Sequence, residues 1–223
     1  MSRVIKVWNE GLIKYDQAYK LQKVLAARHI KNCDKTPPDT LLLVEHPAVY
    51  TVGIRSSQYG EDEERRLKDL GADFHRTNRG GLITFHGPGQ LVAYPIINLK
   101  TFGLGIRDYV CRIEKTVMLT CAELGLNNVY TSNEPNETGV WVKNGKICAI
   151  GVHASRYITS HGLALNCNTD LSWYSHIVPC GLVGKQVTSL SKELNRNVRI
   201  SDTIPAFVQA FSNNSHFNIQ LFS

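Results

Sequence analysis

The alternation of apolar and polar positions divides the chain into short β-type runs with a few helical ones between them. Near the N-terminus Val4, Ile5, Val7 and Trp8 read as a first core strand. Residues 15–30 follow as a helix, with Ala18, Leu21, Val24 and Leu25 at helical spacing. The run TLLLVEH at 40–46 is continuously apolar, the pattern of a strand covered on both faces, and VYTVG at 49–53 is a second strand beyond Pro47. Residues 61–70 are charged and helix-forming and end at Gly71, a C-terminal cap. Short strands are predicted at 73–77, 82–86 and 91–97. The clearest helix covers 107–124, where Val110, Ile113, Val117, Cys121 and Leu124 form one stripe and Cys111 reads as a packing residue. In GVWVKNGKICAIGV (139–152) two β-type runs flank Asn144-Gly145, which predicts a hairpin with a type I′ turn at that pair. GLALNCN at 162–168 is the next strand. A helix near 202–211, capped by Ser201 or Asp202, and a closing strand at 216–222 complete the map.

Clustered strands with few strand–helix–strand alternations predict an α+β fold, a mixed, largely antiparallel sheet flanked by helices. No linker-like segment divides the chain, so residues 1–223 read as a single domain. That length buries a substantial core without covalent staples. With 43% hydrophobic and 20% charged residues the composition is that of a soluble globular protein, and no run of about 18 apolar residues predicts a membrane span. The six cysteines, Cys33, Cys111, Cys121, Cys148, Cys167 and Cys180, form no C-x-x-C pair, so a zinc ribbon or thioredoxin motif is not expected and the thiols read as reduced. A net charge of +6 suits an acidic macromolecular partner. The Lys and Arg residues are scattered rather than gathered in a stripe, so nucleic acid is not expected. The opening MSRVIKVWNEG has no acidic residue before Glu10, which makes at most a weak targeting pattern.

Three places offer chemistry. In RGGLITFHGPGQ (79–90) glycines bracket a strand in which Leu82, Thr84 and His86 alternate with Ile83 and Phe85, so that one face can line a pocket. Tight turns at both strand ends account for the same glycines, and no nucleotide fingerprint is present. Lys146 follows the Asn-Gly pair, and its spacing alone reads first as an exposed lysine at a hairpin end. Cys180 stands between Pro179 and Gly181, in a turn where a thiol is accessible. A reactive thiolate needs a cation or base beside it, whereas a buried cysteine is inert. His86, His153 and His161 raise a metal site or a Cys–His pair, but no H-x-x-x-H spacing is present and no metal is expected. GLVGKQ has glycines too close together for a phosphate loop and no Ser or Thr after Lys185.

Four segments in order, RGGLITFHGPGQLVAYP, GKICAIGVH, SHGLALNCNTDL and IVPCGLVGKQVTSLSKEL, resemble the octanoyltransferases of the lipoate pathway, most closely the mitochondrial eukaryotic form. The resemblance runs from about Lys6 to beyond residue 195. It implies the fold of biotin and lipoate protein ligases, a mitochondrial location and no cofactor. It further implies transfer of octanoyl from octanoyl-acyl carrier protein, through a thioester on the enzyme's cysteine, to a lysine of lipoyl domains of 2-oxoacid dehydrogenases or of the glycine cleavage H protein. The same resemblance makes Cys180 the acyl acceptor and Lys146 the group that lowers its pKa and shuttles protons. It places the acyl pocket along Arg79, Gly80, Gly81, Leu82, Ile83, Thr84, Phe85 and His86, with Ala149, Ile150 and Gly151 and with Gly162, Leu163 and Ala164. Ile83, Ile150 and Leu163 are the apolar side chains an eight-carbon chain would want, and backbone N–H groups around Gly151 or Cys180 are candidates to hold an oxyanion. An ATP-dependent lipoate or biotin ligase on the same scaffold would need no Cys180, and a non-catalytic binding module would need neither Cys180 nor Lys146. The net charge of +6 suits the acidic carriers such a transfer involves.

Overall fold

Two covered faces of one sheet explain the apolar pattern of the central strands. A computed structural model describes residues 4–31, 37–134, 136–181, 184–215 and 218–222, so Cys33 and the first two positions of the expected closing strand lie outside the described residues. In chain order the elements are β1 (Val4–Leu12), α1 (Tyr15–Lys31), β2 (Asp39–Glu45), β3 (Val49–Val52), α2 (Glu61–Asp69), β4 (Asp73–Arg76), β5 (Thr84–His86) and β6 (Gln90–Ile96). They continue with α3 (Ile106–Glu123), β7 (Val129–Thr131), β8 (Gly139–Val142), β9 (Gly145–Ser155), β10 (Ile158–Asn166), β11 (Gln186–Val187), α4 (Leu190–Leu194), α5 (Ile200–Ser215) and β12 (Asn218–Phe222).

The large sheet runs β12-β1-β2-β6-β10-β9-β8-β7, with β11 added beside β9. β1 is parallel to both β12 and β2, β11 is parallel to β9, and the other pairs are antiparallel. Successive residues of β2 go to opposite sides. Leu41 and Leu43 join Leu91, Ala93 and Leu165 under α3 and α5, where Ile113, Val117, Phe207 and Phe211 cover them. Leu42 and Val44 join Val92, Tyr94 and Ala164 under α1, where Ala18 and Leu25 cover them. A strand buried on both faces needs apolar residues at every position, hence the unbroken TLLLV.

The second sheet, β4-β3-β5, has β3 parallel to β4 and antiparallel to β5. Leu67 of α2 and Tyr174 of the 171–176 turn pack with its Tyr50, Val52, Phe74, Ile83 and Phe85. Phe85 stacks on Trp173 with ring centroids 5.2 Å apart. This small sheet carries the Arg79–His86 segment against β9 of the large one, where Gly80 N–H donates to Val152 O at 3.0 Å.

Several sequence expectations shift. Val24 is 51% exposed, and the α1 stripe instead buries Gln22, whose Oε1 accepts the His161 backbone N–H at 2.7 Å. Cys111 is exposed on α3 and is no packing residue, while Cys121 is buried. The β8–β9 hairpin turns at Lys143-Asn144, one residue before the expected pair, because Lys143 takes the left-handed conformation at φ 51° and Gly145 already pairs with Val142. β9 and β10 are longer than expected and meet in a second turn, where Arg156 and Tyr157 both have positive φ without a glycine to announce it. α5 begins at Ile200, so Asp202 lies inside its first turn and accepts the Arg199 backbone N–H at 3.0 Å. Ser201 is likewise inside the helix.

Candidate active site

β9 and β10 lie in a register that pairs Ala149 with Ala164, Ile150 with Leu163 and Gly151 with Gly162. The two triplets expected from the sequence thus face one another across a single ladder. All six residues line an inner cavity of about 40 Å³. The opposite wall is the segment before and within β5, from which Arg79, Gly80, Gly81, Leu82, Thr84 and His86 reach the cavity. Strand alternation turns Ile83 and Phe85 the other way, into the core of the small sheet, where both are buried. Those two candidate pocket residues therefore do not line the cavity. Tyr15, Val92, Tyr94 and His161 line it without having been named as pocket residues.

Cys180 belongs to the cavity wall. It occupies a tight turn with φ 55°, a conformation that costs a non-glycine residue about 1–3 kcal/mol. Two bonds hold the turn: Cys180 N–H donates to Ile83 O at 3.0 Å, and Gly181 N–H donates to Val178 O at 3.0 Å. Gly181 also has φ 71°, a conformation that favours glycine, and a Cβ there would lie 2.5 Å from Leu82 Cδ1, which would have to move. Ile83 thus serves the site through its carbonyl rather than its side chain. Because the Cys180 N–H is engaged by Ile83, it is not free to hold an oxyanion.

A larger vestibule of about 480 Å³ shares the wall of Gly80, Gly81, Ile150, Gly151 and Cys180 and opens outward past Lys146, Thr138, Glu114 and Cys111. Lys146 is 5% exposed. Its Nζ donates to Thr138 O at 3.1 Å and stands 4.8 Å from the centroid of the Trp141 ring. Lys146 and Cys180 therefore face the same space, with no direct hydrogen bond between them among the described residues. Burial pushes the Glu114 carboxyl upward against the pull of the Gly139 N–H it accepts and of Lys146. Glu114 and Tyr15 had no sequence signal, since each comes from a helix distant in the chain.

Behind Arg79 runs a buried hydrogen-bonded chain. The guanidinium donates to Thr51 O at 2.6 Å and to Thr51 Oγ1 at 2.9 Å. With its lone pairs so used, Thr51 Oγ1 turns its hydrogen to His86 Nε2 at 3.3 Å. His86 Nδ1 then donates to Gln90 Oε1 at 2.8 Å, while the Gln90 amide group donates to Asn166 Oδ1 and Tyr174 OH, both at 2.9 Å. Burial drives the His86 pKa down to about 3, with His46 and Arg79 adding repulsion, so the ring is neutral. His161 Nε2 meets Asn78 Oδ1 at 2.8 Å. No group of His, Cys, Asp or Glu suited to a metal occurs among the described residues. No helix there is long and apolar enough to cross a membrane.

A family model described as the lipoyl protein ligase A/B catalytic domain matches residues 14–212. The octanoyl-acyl-carrier-protein:protein N-octanoyltransferase LIPT2, mitochondrial, of Danio rerio is 54% identical over 217 residues, which span 97% of this chain and 94% of that protein. The Homo sapiens protein of the same name is 49% identical over 193 residues, 86% of this chain and 82% of that one. Among solved structures, a putative lipoate protein ligase from T. acidophilum with bound lipoic acid superposes with a TM-score of 0.71 at 16% identity, covering 100% of this chain and 89% of that one. The biotin protein ligase of Aquifex aeolicus reaches 0.52 at 12% identity, covering 97% and 70%. These two structures share the fold.

Proposed function

The chain belongs to the lipoyl protein ligase A/B catalytic family, among its octanoyltransferases, and on that premise we propose that it transfers an octanoyl group from octanoyl-acyl carrier protein to a lysine of lipoyl-carrier domains in the mitochondrion. Transfer proceeds in two steps through a thioester on Cys180. One observation carries the reading: Cys180 is shared by a small inner cavity and a larger vestibule, and the vestibule also holds Lys146. A fatty chain wants the first space. The protein-borne donor and acceptor groups need the second.

In the first step the Cys180 thiolate attacks the thioester carbonyl and the carrier's thiol leaves. One thioester replaces another, so no ATP is required. A free thiol ionises near pH 8.5, and a nearby ammonium favours the thiolate. Lys146, with its Nζ held at Thr138 O, supplies that charge and can hand a proton to the leaving thiol. In the second step the acceptor lysine enters the vestibule neutral and attacks the Cys180 thioester, and Lys146 takes up its proton. The apolar stretch Ile150–Leu163–Ala164 receives the chain, each buried CH₂ contributing roughly 0.8 kcal/mol. Acceptors of this kind are the lipoyl domains of 2-oxoacid dehydrogenases and the glycine cleavage H protein.

Intact-protein mass spectrometry after mixing with octanoyl-acyl carrier protein tests the reading. An octanoyl mass on Cys180, absent from Cys180→Ala, is expected. Transfer at the native rate by Cys180→Ala would refute the covalent route.

A further inference from the structure

The Arg79 guanidinium lies in the cavity wall, 7% exposed, yet every acceptor it meets is neutral. Nε donates to Thr51 Oγ1 at 3.3 Å, Nη2 to Thr51 O at 2.6 Å and to Thr51 Oγ1 at 2.9 Å, and Nη1 to Gly80 O at 2.9 Å. A guanidinium has five N–H donors and keeps its proton under all ordinary conditions. Among the described residues the second hydrogen on Nη1 has no acceptor, and no carboxylate ranks among the groups that perturb this cation, whereas Cys180 does. A buried charge without an anion is expensive to maintain unless an anion arrives. The backbone keeps the approach to Nη1 clear. A Cβ on Gly81 would stand 3.4 Å from Nη1, and one on Gly151 would stand 3.6 Å from Nη1, 3.2 Å from Cδ and 3.0 Å from Gly80 O. The Cys180 N–H is already given to Ile83 O, so the turn's own amide does not fill the role.

We propose that Arg79 is a catalytic residue whose open Nη1–H receives the acyl oxygen as it becomes an oxyanion in both halves of the transfer. The inference rests on the thioester reading above. When the Cys180 thiolate bonds to the carbonyl carbon, the C=O π pair moves onto oxygen and the charge settles against the guanidinium. As that pair returns, the carbon–sulfur bond to the carrier breaks and the carrier's sulfur leaves as a thiol with the proton from Lys146. In the second half the amine adds to the same carbon and passes its proton to the now neutral Lys146, the oxyanion forms again at Nη1, and Cys180 departs as thiolate. Thr51 fixes the fork in place from behind, and neutral His86 accepts the hydrogen bond from the Thr51 hydroxyl without adding a competing charge.

Arg79→Lys keeps a cation and loses the fork. Two readouts separate the roles: the single-turnover rate of Cys180 octanoylation from octanoyl-acyl carrier protein, and the pH profile of Cys180 alkylation by iodoacetamide. The expected result is acylation slowed about 100-fold or more, the loss typical of one oxyanion donor, with the alkylation midpoint and rate unchanged. Acylation at the native rate overturns the proposal. So does a parallel fall of acylation and alkylation, which would place Arg79 in ionising or positioning the thiol. If Arg79→Lys does not fold, Gly151→Ala crowds the same N–H, with the same expected split and the same refutations. Failure of the native protein to gain an octanoyl mass at all strikes the thioester reading instead, and is seen before any variant is made.

Discussion

Lowering the pH from 7 to 5 destabilises this fold through three buried imidazoles. His46, His86 and His161 are 0%, 7% and 1% exposed. Burial lowers the His46 pKa to about 4, against the help of the Ile13 carbonyl it bonds and with added repulsion from His75. Burial lowers His86 to about 3, with His46 and Arg79 contributing, and His161 to about 3, with Arg79, His153 and Lys23 contributing. In the unfolded chain each ring takes its proton near pH 6.5. Between 6.5 and those depressed values the unfolded state therefore binds more protons than the native one. Stability from this source is complete above about pH 6.5, falls as the pH drops, and levels off only below about 4 to 3. At about 1.36 kcal/mol per pH unit, each ring withdraws about 2 kcal/mol by pH 5, and the three together up to about 6 kcal/mol. A domain has about 5–15 kcal/mol in total. Urea titrations followed by tryptophan fluorescence at a series of pH values measure the slope. His161→Gln, which can keep the bond to Asn78, should lower that slope by about a third. An unfolding free energy that stays flat between pH 7 and 5, or an unchanged slope in His161→Gln, would refute the argument.

Three substitutions probe the site itself. Gly181→Ala brings a Cβ to 2.5 Å from Leu82 Cδ1 at φ 71°; it should cost about 1–3 kcal/mol in urea unfolding and slow Cys180 acylation further than that loss of folded protein explains. Lys146→Met keeps an unbranched side chain while removing the charge that stands 4.8 Å from the Trp141 ring centroid. Steady-state transfer should fall about 100-fold or more at an unchanged unfolding midpoint, and full activity would remove Lys146 from the mechanism. Ala164→Leu fills the inner cavity, so kcat/KM for an octanoyl donor should fall about 100-fold while a butanoyl donor loses far less. Four excluded CH₂ groups at roughly 0.8 kcal/mol each set that scale.

Patterns within a few residues were legible in the sequence, and patterns between distant segments were not. The unbroken TLLLV of β2 announced a strand covered on both faces, because period-2 geometry leaves no polar position when both sides are packed. The alternation of Leu82, Thr84 and His86 against Ile83 and Phe85 separated cavity from core by the same geometry, and treating all five as pocket residues overrode it. The β8–β9 turn moved by one residue because lysine, not glycine, took the left-handed position. With Val142 paired to Gly145, Trp141 paired to Lys146 and Ile147 buried in the core, that choice decides which way the Lys146 side chain points. Glu114, Tyr15 and Tyr94 left no local trace, since each enters the site only when α3, α1 and β6 pack. For Cys180 the local signal was a turn between proline and glycine, which describes many inert thiols. What distinguishes it is long-range: an N–H···O hydrogen bond to the Ile83 carbonyl, nearly a hundred positions earlier, that holds a strained φ and keeps Cys180 in the wall shared by the inner cavity and the vestibule. Strain held by a partner so distant exists only once both sheets are assembled. The same assembly buries Arg79 beside it, so reactivity at Cys180 is a property of the folded cavity and not of the PCG segment.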